Sequence, residues 1–281
     1  MDKYLVVGNP IAHSLSPEIH TAFAQQTHQL LTYDRLCVEP NDFLFTLDTF
    51  FASGGKGANI TAPFKSMAYE YTKKHCSERA KLSKAVNTLY LNPQNNIVYG
   101  DNTDGIGLVT DLKKHDWNIK GKKILILGAG GAIRGILPAL LSESPTSITL
   151  YNRTSSKTNE IIKEFQFLGP LFSFSNEKSM FDLIINSIPS RHVLDAEYWT
   201  WLSNIVSPET HAYDLNYSAQ RNSDTPFISQ MKLHHCQHIL DGLGMLIEQA
   251  AESFYIWRSV KPDTNLFRKN YQKLRNWISL Y

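Results

Sequence analysis

Two short stretches of the sequence each carry, at the expected start of a helix, a side chain that can exchange a proton. NITAPFK, residues 59–65, puts Lys65 in the first turn of a helix that Pro63 is expected to begin. A cation is unusual there, because that end of the helix dipole is positive and favours acids. GDNTDGIG, residues 100–107, carries Asp104 at the start of another helix. An acid beside Lys65 would orient its amine, so the two can form a proton-transfer pair. The alternative is that Asp104 or Thr103 is only an N-cap.

A pair of serines forms a second candidate binding element. In GNPIAHSLSPEIH, Ser14 and Ser16 are two residues apart, so in an extended segment both hydroxyls point the same way. Two parallel donors suit a carboxylate. Alternatively, Ser16 caps a helix whose first residue is Pro17. That alternative leaves Ser14 unexplained.

A glycine-rich turn in KKILILGAGGAIRG indicates a phosphate-binding site. An apolar strand runs directly into GAGG, residues 128–131, and then into residues compatible with a helix. Glycine lets the backbone approach a pyrophosphate, and the helix N-terminus attracts it. The third position of the fingerprint is Ile133, so Ala132 is expected to supply the small residue of the helix–strand contact. The alternative is a glycine-rich turn in some other α/β protein.

The end of the next strand, LYNRTSSK, favours NADP over NAD. An NAD-binding protein carries an acid near this point for the ribose 2′-hydroxyl. Here Asn152, Arg153, Thr154 and Lys157 offer two cations and polar donors, which suit a 2′-phosphate. The alternative is a solvated helix start with Thr154 or Ser155 as N-cap.

Composition favours small-molecule chemistry. The chain has 281 residues, a formal net charge of +2 and no block of five like charges, so it is not expected to bind nucleic acid or a membrane surface. Three widely spaced cysteines, Cys37, Cys76 and Cys236, fit a reducing compartment. The apolar run near the N-terminus is too short for a signal peptide or a membrane span. These features predict a cytoplasmic protein.

The elements that would position these residues form two α/β regions. The first hundred residues alternate strands with helices, including a helix over Pro17–Leu30. A helical stretch from Thr103 to about Trp117 follows, and KKILIL then restarts a βα alternation. After LDGLG come two amphipathic helices with no sheet of their own, which are expected to pack back on the first region.

Eight motifs together resemble the shikimate dehydrogenase family over nearly the whole chain. They are GNPIAHSLSP, NITAPFK, AVNTLY, GDNTDGIG, GAGGAIRG, NRT, TPF and DGLGML. The resemblance implies an α/β protein with a substrate-binding domain at 1–103, completed by helices of 241–281, and a Rossmann NADP-binding domain at 104–240. The active site would lie in the cleft between them. The implied reaction is the reversible NADPH-dependent reduction of 3-dehydroshikimate to shikimate, a step toward chorismate and the aromatic amino acids.

The resemblance also implies a role for each motif residue. Lys65 and Asp104 would be the catalytic pair, with Lys65 exchanging the proton of the reacting hydroxyl. Ser14 and Ser16 would hold the substrate carboxylate. The substrate hydroxyls would be bound by Thr61, Asn87, Tyr217 and Gln249. The cofactor would be bound by Gly128, Ala129, Gly130, Gly131 and Ala132 at the pyrophosphate, by Asn152, Arg153, Thr154 and Lys157 at the 2′-phosphate, and by Glu78, Leu215, Gly242 and Met245 elsewhere.

Several positions depart from the family pattern. Lys84 stands where a glycine commonly precedes AVNT, and TVPFK has become TAPFK. NSIPSR, residues 186–191, replaces a more usual Asn-Ala-Thr-Pro-like loop near the cofactor. DLNYSAQRNSDTPF also departs, although Tyr217 keeps its place.

Other groups are expected to be structural. His234, His235, Cys236 and His238 resemble a metal cluster, but their spacing matches no structural zinc pattern, so no metal is expected and the segment is interpreted as a surface stretch before a buried strand. Aromatic residues around Trp199, Trp201, Phe254 and Trp257 are interpreted as packing.

Two other functions remain open. A quinate/shikimate dehydrogenase would more often carry an acid after the second Rossmann strand, where this chain has Asn152-Arg153. A catalytically silent NADP-binding regulatory protein on the same fold would not need Lys65 and Asp104. Either way the expected partner is a small molecule, and the protein is expected to be a monomer or a homodimer.

Overall fold

The computed structural model describes residues 1–175, 180–190, 195–218 and 223–277. It divides into two compact units. The first unit comprises Met1–Gly107 and Leu246–Tyr281, and the second comprises Leu108–Met245. These divisions fall a few residues beyond the boundaries at 103 and 240 expected from the sequence. No helix in the described ranges has both the length and the apolar character needed to cross a bilayer.

The first unit contains a mixed five-stranded sheet. Its strands are β1 (Asp2–Gly8), β2 (Leu31–Cys37), β3 (Gly55–Ile60), β4 (Thr88–Asn92) and β5 (Ile97–Asp101), in the order β2-β1-β3-β4-β5. Strand β1 pairs in parallel with β2 and β3, whereas β3, β4 and β5 pair antiparallel. The apolar run of β1 is buried, which suits a strand that has a neighbour on each side.

The second unit contains a parallel six-stranded sheet. Its strands are β6 (Lys123–Leu127), β7 (Ser147–Tyr151), β8 (Leu171–Ser173), β9 (Leu183–Asn186), β10 (His211–Asp214) and β11 (His238–Leu240), in the order β11-β10-β9-β6-β7-β8. Counted from the first strand of this unit, the order is 3-2-1-4-5-6, which is the Rossmann arrangement. The α/β fold class predicted from the sequence is confirmed.

Helices connect these strands in both units. They are α1 (Ser16–Gln26), α2 (Phe43–Ala52), α3 (Lys65–Thr72), α4 (Glu78–Ser83), α5 (Asp104–Lys114), α6 (Gly131–Ser142), α7 (Ser155–Phe165), α8 (Ala196–Ser203), α9 (Pro226–Leu233), α10 (Leu243–Arg258) and α11 (Thr264–Trp277). Alternate residues of β6 face different layers, with Ile124 and Ile126 in one core and Leu125 and Leu127 in the other. The sheet of the second unit is therefore covered on both faces.

Two predicted helix boundaries are wrong. Helix α1 ends at Gln26 rather than Leu30, because His28 adopts a left-handed φ of 55° and the Gln29 N–H bonds to the Ala24 carbonyl. Helix α3 begins at Lys65, and Pro63 lies before it at the third position of a turn closed by the Phe64 N–H and the Thr61 carbonyl. Lys65 is nevertheless in the first turn, as predicted.

The aromatic residues predicted to pack do so. Trp201 stacks on Tyr151 at 4.3 Å between ring centroids, and Trp199 packs against the same core. Phe254 is fully buried, and Trp257 packs on Tyr4 at 4.7 Å.

His20 is a buried titratable group in the core of the first unit. Its ring stacks on Tyr33 at 4.4 Å, and neither ring nitrogen has a hydrogen-bond partner among the described residues. Burial lowers the pKa of His20 from 6.5 to about 3. The folded protein therefore excludes a proton that the unfolded chain binds below pH 6.5.

We expect His20→Phe to make stability less dependent on pH. In the wild type the stability is fully present above pH 6.5 and falls as the pH drops toward 3, with a loss of about 2 kcal/mol between pH 7 and pH 5. Phenylalanine keeps the stacked ring and removes the titration. Urea unfolding at pH 7 and pH 5 measures the difference, with exposed His13→Gln as control. An unchanged pH dependence in His20→Phe would contradict the assignment.

Candidate functional site

Lys65 and Asp104 form a close ion pair in the first unit. Lys65 Nζ lies 2.6 Å from Asp104 Oδ2, and the two side chains are 19% and 7% exposed. Each is the first residue of its helix, α3 and α5. The Lys65 carbonyl accepts a hydrogen bond from the Val86 N–H at 2.9 Å, which anchors the start of α3 to the segment before β4.

Asp104 is not used as an N-cap. The Asn102 side chain caps the turn instead, since its Oδ1 accepts the Asp104 N–H at 3.0 Å. Thr103 directs its hydroxyl to Asn87 and Gln249 rather than to the helix. Both capping alternatives are therefore wrong, and the carboxylate of Asp104 is available for side-chain partners.

The amide of Asn87 holds the second oxygen of that carboxylate. Asn87 Nδ2 lies 2.9 Å from Asp104 Oδ1, 2.9 Å from Thr103 Oγ1 and 3.2 Å from Gln249 Oε1. Its Oδ1 accepts the Thr103 N–H at 2.8 Å. Lys65, Asn87, Asp104 and Gln249 thus belong to one hydrogen-bonded network, and all but Lys65 are buried.

Buried hydroxyls that were not found from the sequence extend this network into the core. Ser253 Oγ lies 2.7 Å from Thr88 Oγ1, 3.2 Å from Thr103 Oγ1 and 3.1 Å from Asn59 Nδ2. Asn59 Oδ1 in turn accepts the Tyr33 hydroxyl at 2.7 Å. Asn59 and Thr88 lie within or beside quoted motifs, but their shared partner Ser253 comes from a distant helix.

Ser14 and Ser16 also lie together. Their hydroxyl oxygens are 3.1 Å apart, and Ser14 Oγ accepts the Ser16 N–H at 3.3 Å. Ser16 is itself the first residue of α1 and makes no cap hydrogen bond, so the capping alternative is wrong. Arg35, which no motif in the sequence marks, donates from Nε at 2.8 Å and Nη2 at 2.6 Å to the Ser14 carbonyl. It also pairs with Glu18 at 2.6 Å.

The other predicted substrate residues lie in both units. Thr61 follows β3, is half-buried and donates its N–H to the Val7 carbonyl at 2.9 Å. Tyr217 follows β10 in the second unit and is half-buried.

The glycine turn of the second unit follows β6 and begins α6. Gly128 has a left-handed φ of 104°, and a Cβ there would lie closer than 3.0 Å to Ser187 Oγ. A Cβ at Gly130 or Gly131 would meet no atom within 4 Å. Packing within the chain therefore explains the first glycine only, and the other two leave open space beside a helix N-terminus.

The helix–strand contact differs from the expectation. Ile133 is fully buried in the core, whereas Ala132 is only half-buried and is absent from that core. The chain thus accommodates a large residue at the third fingerprint position, and Ala132 does not replace it there. Ala129 is partly buried against the same core.

Exposed cations surround the start of α7. Arg153, Thr154 and Lys157 are exposed, and Asn152 donates its amide to the Thr154 carbonyl at 3.0 Å. Thr154 occupies the N-cap position but makes no side-chain cap bond. A cleft of about 320 Å³ lies beside them, lined by Leu150, Tyr151, Asn152, Ser155, Thr158, Ser173 and Phe174.

Three of the remaining predicted cofactor residues lie in the segments that follow β10 and β11. A Cβ at Gly242 would lie closer than 3.0 Å to the Leu215 carbonyl oxygen, and the Gly242 N–H bonds to the Asn216 carbonyl at 3.0 Å. Met245 is in the first turn of α10. Glu78, in contrast, is the first residue of α4 in the first unit and pairs with Lys81 at 2.6 Å.

The histidine-rich segment is mostly exposed, as expected of a surface stretch, but it differs from the expectation at two points. Cys236 is buried, with Sγ 2.8 Å from the Thr210 carbonyl oxygen, and His238 begins β11, which is an edge strand rather than a buried one. Within the described ranges, no three His, Cys, Asp or Glu side chains are grouped so as to hold a metal ion. The NSIPSR and DLNYSAQRNSDTPF segments are described only in part, since residues 191 and 219–222 lie outside these ranges.

Comparisons with known proteins identify relatives over most of the chain. Residues 6–89 match the shikimate dehydrogenase substrate binding domain, residues 111–202 match shikimate / quinate 5-dehydrogenase, and residues 242–269 match the shikimate 5′-dehydrogenase C-terminal domain. The chain is 49% identical to shikimate dehydrogenase (NADP(+)) of Psychromonas ingrahamii, over 94% of this chain and 95% of that protein. It is 45% identical to the protein of the same name from Aeromonas salmonicida, with the same two coverages.

A solved structure shares the fold. Shikimate 5-dehydrogenase from Thermus thermophilus, in complex with NADP(H) and shikimate, is 27% identical, with a TM-score of 0.80 over 94% of this chain and 96% of that one. The matched residues 6–89, 111–202 and 242–269 fall in both units. The chain belongs to the shikimate dehydrogenase family.

Proposed function

We propose that this protein is an NADP-dependent shikimate dehydrogenase that reversibly reduces 3-dehydroshikimate to shikimate. The observation that carries the proposal is the ion pair between Lys65 and Asp104, 2.6 Å apart and largely shielded from water. The names of the relatives and the match of all three family profiles support it. The step would serve chorismate and aromatic amino-acid biosynthesis.

Lys65 is proposed to exchange the proton of the reacting hydroxyl. Bound NADPH supplies the hydride, and reduction of a ketone leaves negative charge on its oxygen. The ammonium of Lys65 stabilises that charge and donates a proton; in the reverse direction the amine accepts it. Asp104 orients Lys65 Nζ through Oδ2, and Asn87 holds the same carboxylate through Oδ1.

We propose the substrate contacts from the hydrogen-bonding chemistry of the hydroxyl and amide side chains in the first unit and of Tyr217. The adjacent hydroxyls of Ser14 and Ser16 would bind the carboxylate of the substrate. The ring hydroxyls would bind to Asn87 and Gln249, whose amides can both donate and accept, together with Thr61 and Tyr217. Asn87 Nδ2 donates to Gln249 Oε1, and Gln249 Nε2 donates to the Leu246 carbonyl, which supports a common role for the two amides.

The second unit provides features that suit NADP. Gly130 and Gly131 leave room for a pyrophosphate beside the N-terminus of α6, where the dipole favours an anion. Arg153 and Lys157 are exposed at the start of α7, where they would hold a 2′-phosphate with Asn152 and Thr154. Ala129, Ala132, Leu215, Gly242, Met245 and Glu78 would make further contacts with the cofactor.

We also infer that the protein acts in the cytoplasm on a small-molecule substrate. Its three cysteines are unpaired, which fits a reducing compartment. A monomer or a homodimer remains the prediction for its assembly, which light scattering of the purified protein measures directly.

One assay separates the proposed function from its alternatives. Purified protein is given shikimate or quinate with NAD or NADP, and the absorbance of the reduced cofactor is followed. We expect strong activity with shikimate and NADP only. Comparable activity with quinate would indicate a quinate/shikimate dehydrogenase, and no activity in any combination would favour a silent NADP-binding protein.

Lys65→Ala should lower turnover by at least about 100-fold, because the proton donor is lost. NADPH binding, measured by nucleotide fluorescence, should remain near normal. The matched control is Lys73→Ala, which removes an exposed lysine near the end of the same helix that also pairs with a carboxylate, Glu70, at 3.1 Å. Wild-type turnover in Lys65→Ala would refute the assigned role.

The double variant Arg153→Ala/Lys157→Ala should raise the KM for NADP by about 10- to 100-fold, because charge-assisted bonds to the 2′-phosphate are lost. The KM for NAD, which lacks that phosphate, should stay unchanged. Lys163→Ala is the control, since Lys163 is an exposed cation in the last turn of the same helix. An equal effect on both cofactors would place these cations away from the 2′-phosphate.

A further inference from the structure

A buried polar relay joins three elements of the second unit. Tyr213, on β10, is fully buried and donates its hydroxyl to Asp111 Oδ2 at 2.7 Å. The same hydroxyl oxygen accepts the Met245 N–H at 3.2 Å. Asp111 lies in α5 and is 1% exposed. The proposed chemistry uses neither Tyr213 nor Asp111 directly.

The Asp111 carboxylate also packs against the first turn of α10. A Cβ at Gly244 would lie closer than 3.0 Å to both oxygens of that carboxylate, so a larger residue would displace it. Beside this contact, Asp241 Oδ1 accepts the Leu243 N–H at 3.1 Å. A carboxylate at this end of a helix is favourable, because the dipole there is positive. The segment Gly242–Met245 is thus held from several sides.

These polar groups lie at the edge of an apolar core. Tyr213 belongs to the same core as Ile124, Leu137 and Leu150. Burial, reinforced by Asp111, raises the pKa of Tyr213 well above its ordinary value, which keeps the hydroxyl protonated as a donor. Buried polar groups are costly unless they are satisfied, but a satisfied network fixes one geometry.

We propose that Tyr213 and Asp111 are positioning residues that hold the Gly242–Met245 segment for cofactor binding. This inference rests on the proposed cofactor contacts of Leu215, Gly242 and Met245. Tyr213 lies two residues before Leu215 on the chain, and its hydroxyl reaches Met245. The Tyr213 side chain therefore links the segment that carries Leu215 to the Met245 backbone, and the Asp111 carboxylate holds the Tyr213 hydroxyl in place.

Tyr213→Phe tests the relay by removing one hydroxyl while keeping the ring. We expect the dissociation constant of NADPH, measured by nucleotide fluorescence, and the KM for NADP to rise by about 10-fold. The KM for shikimate should change by less than about twofold. Asp111→Asn keeps an acceptor oxygen for the Tyr213 hydroxyl but weakens the bond by removing the charge, so its effect should be smaller yet measurable, at about threefold. A double variant should be no worse than Tyr213→Phe alone, because both changes break one relay.

Tyr198→Phe is the matched control. Tyr198 is in the same unit, and its hydroxyl is buried without a hydrogen-bond partner among the described residues. Its loss should leave NADPH binding unchanged. Thermal unfolding of each variant checks the fold, and if Tyr213→Phe does not fold, Asp111→Asn decides the outcome by the same measurements.

Two results would overturn the inference. One is unchanged NADPH binding in folded Tyr213→Phe or, if that variant does not fold, in Asp111→Asn. The other is an equal rise in KM for NADP and shikimate, which indicates general loosening. The wild type assayed in parallel with shikimate and NADP tests the proposed function separately, because NADPH binding needs no turnover.

Discussion

The contact between Lys65 and Asp104 is the constraint around which the polar groups of the first unit are arranged. A lysine at the first position of a helix is opposed by the dipole, whereas an aspartate at that position is favoured. Here each begins its own helix, and the carboxylate compensates the cation at 2.6 Å. Withdrawing both charges from water costs free energy, so the pair needs further hydrogen bonds. Asn87 supplies one to the second carboxylate oxygen.

The main constraint in the second unit is different: the glycine turn leaves open space at the N-terminus of α6, where an anion is favoured. Gly128 is required by its backbone conformation and by Ser187, but Gly130 and Gly131 are not required by any neighbour within 4 Å. The turn lies after β6, beside β9, where the strand order reverses direction. Ligands of open α/β sheets bind outside the carboxyl ends of strands at such a point. The residues proposed to contact NADP in this unit follow β6, β7, β10 and β11.

Local sequence patterns predict most of the strands, turns and helices. They do not predict hydrogen-bond partners that are distant in the sequence. Strand β6 and the glycine turn lie where the sequence predicts them, because apolar runs and turn residues act locally. The end of α1 was missed because a histidine adopts the left-handed conformation usually taken by glycine. The role of Arg35 could not be predicted because it binds the backbone carbonyl of Ser14, which is 21 residues away in the sequence. No motif marks such a pairing.

The same limit applies to helix α10, where polar side chains as well as buried apolar ones determine the register. Gln249, Ser253 and Trp257 are spaced at i, i+4 and i+8, so they share one face. Ser253 bonds to Thr88 and Asn59, and Trp257 Nε1 donates to the Leu89 carbonyl at 2.9 Å. Sliding this helix by one residue would leave those buried groups unpaired, at a cost of about 1–3 kcal/mol each. The anchors therefore determine which residue reaches Asn87, and that residue is Gln249.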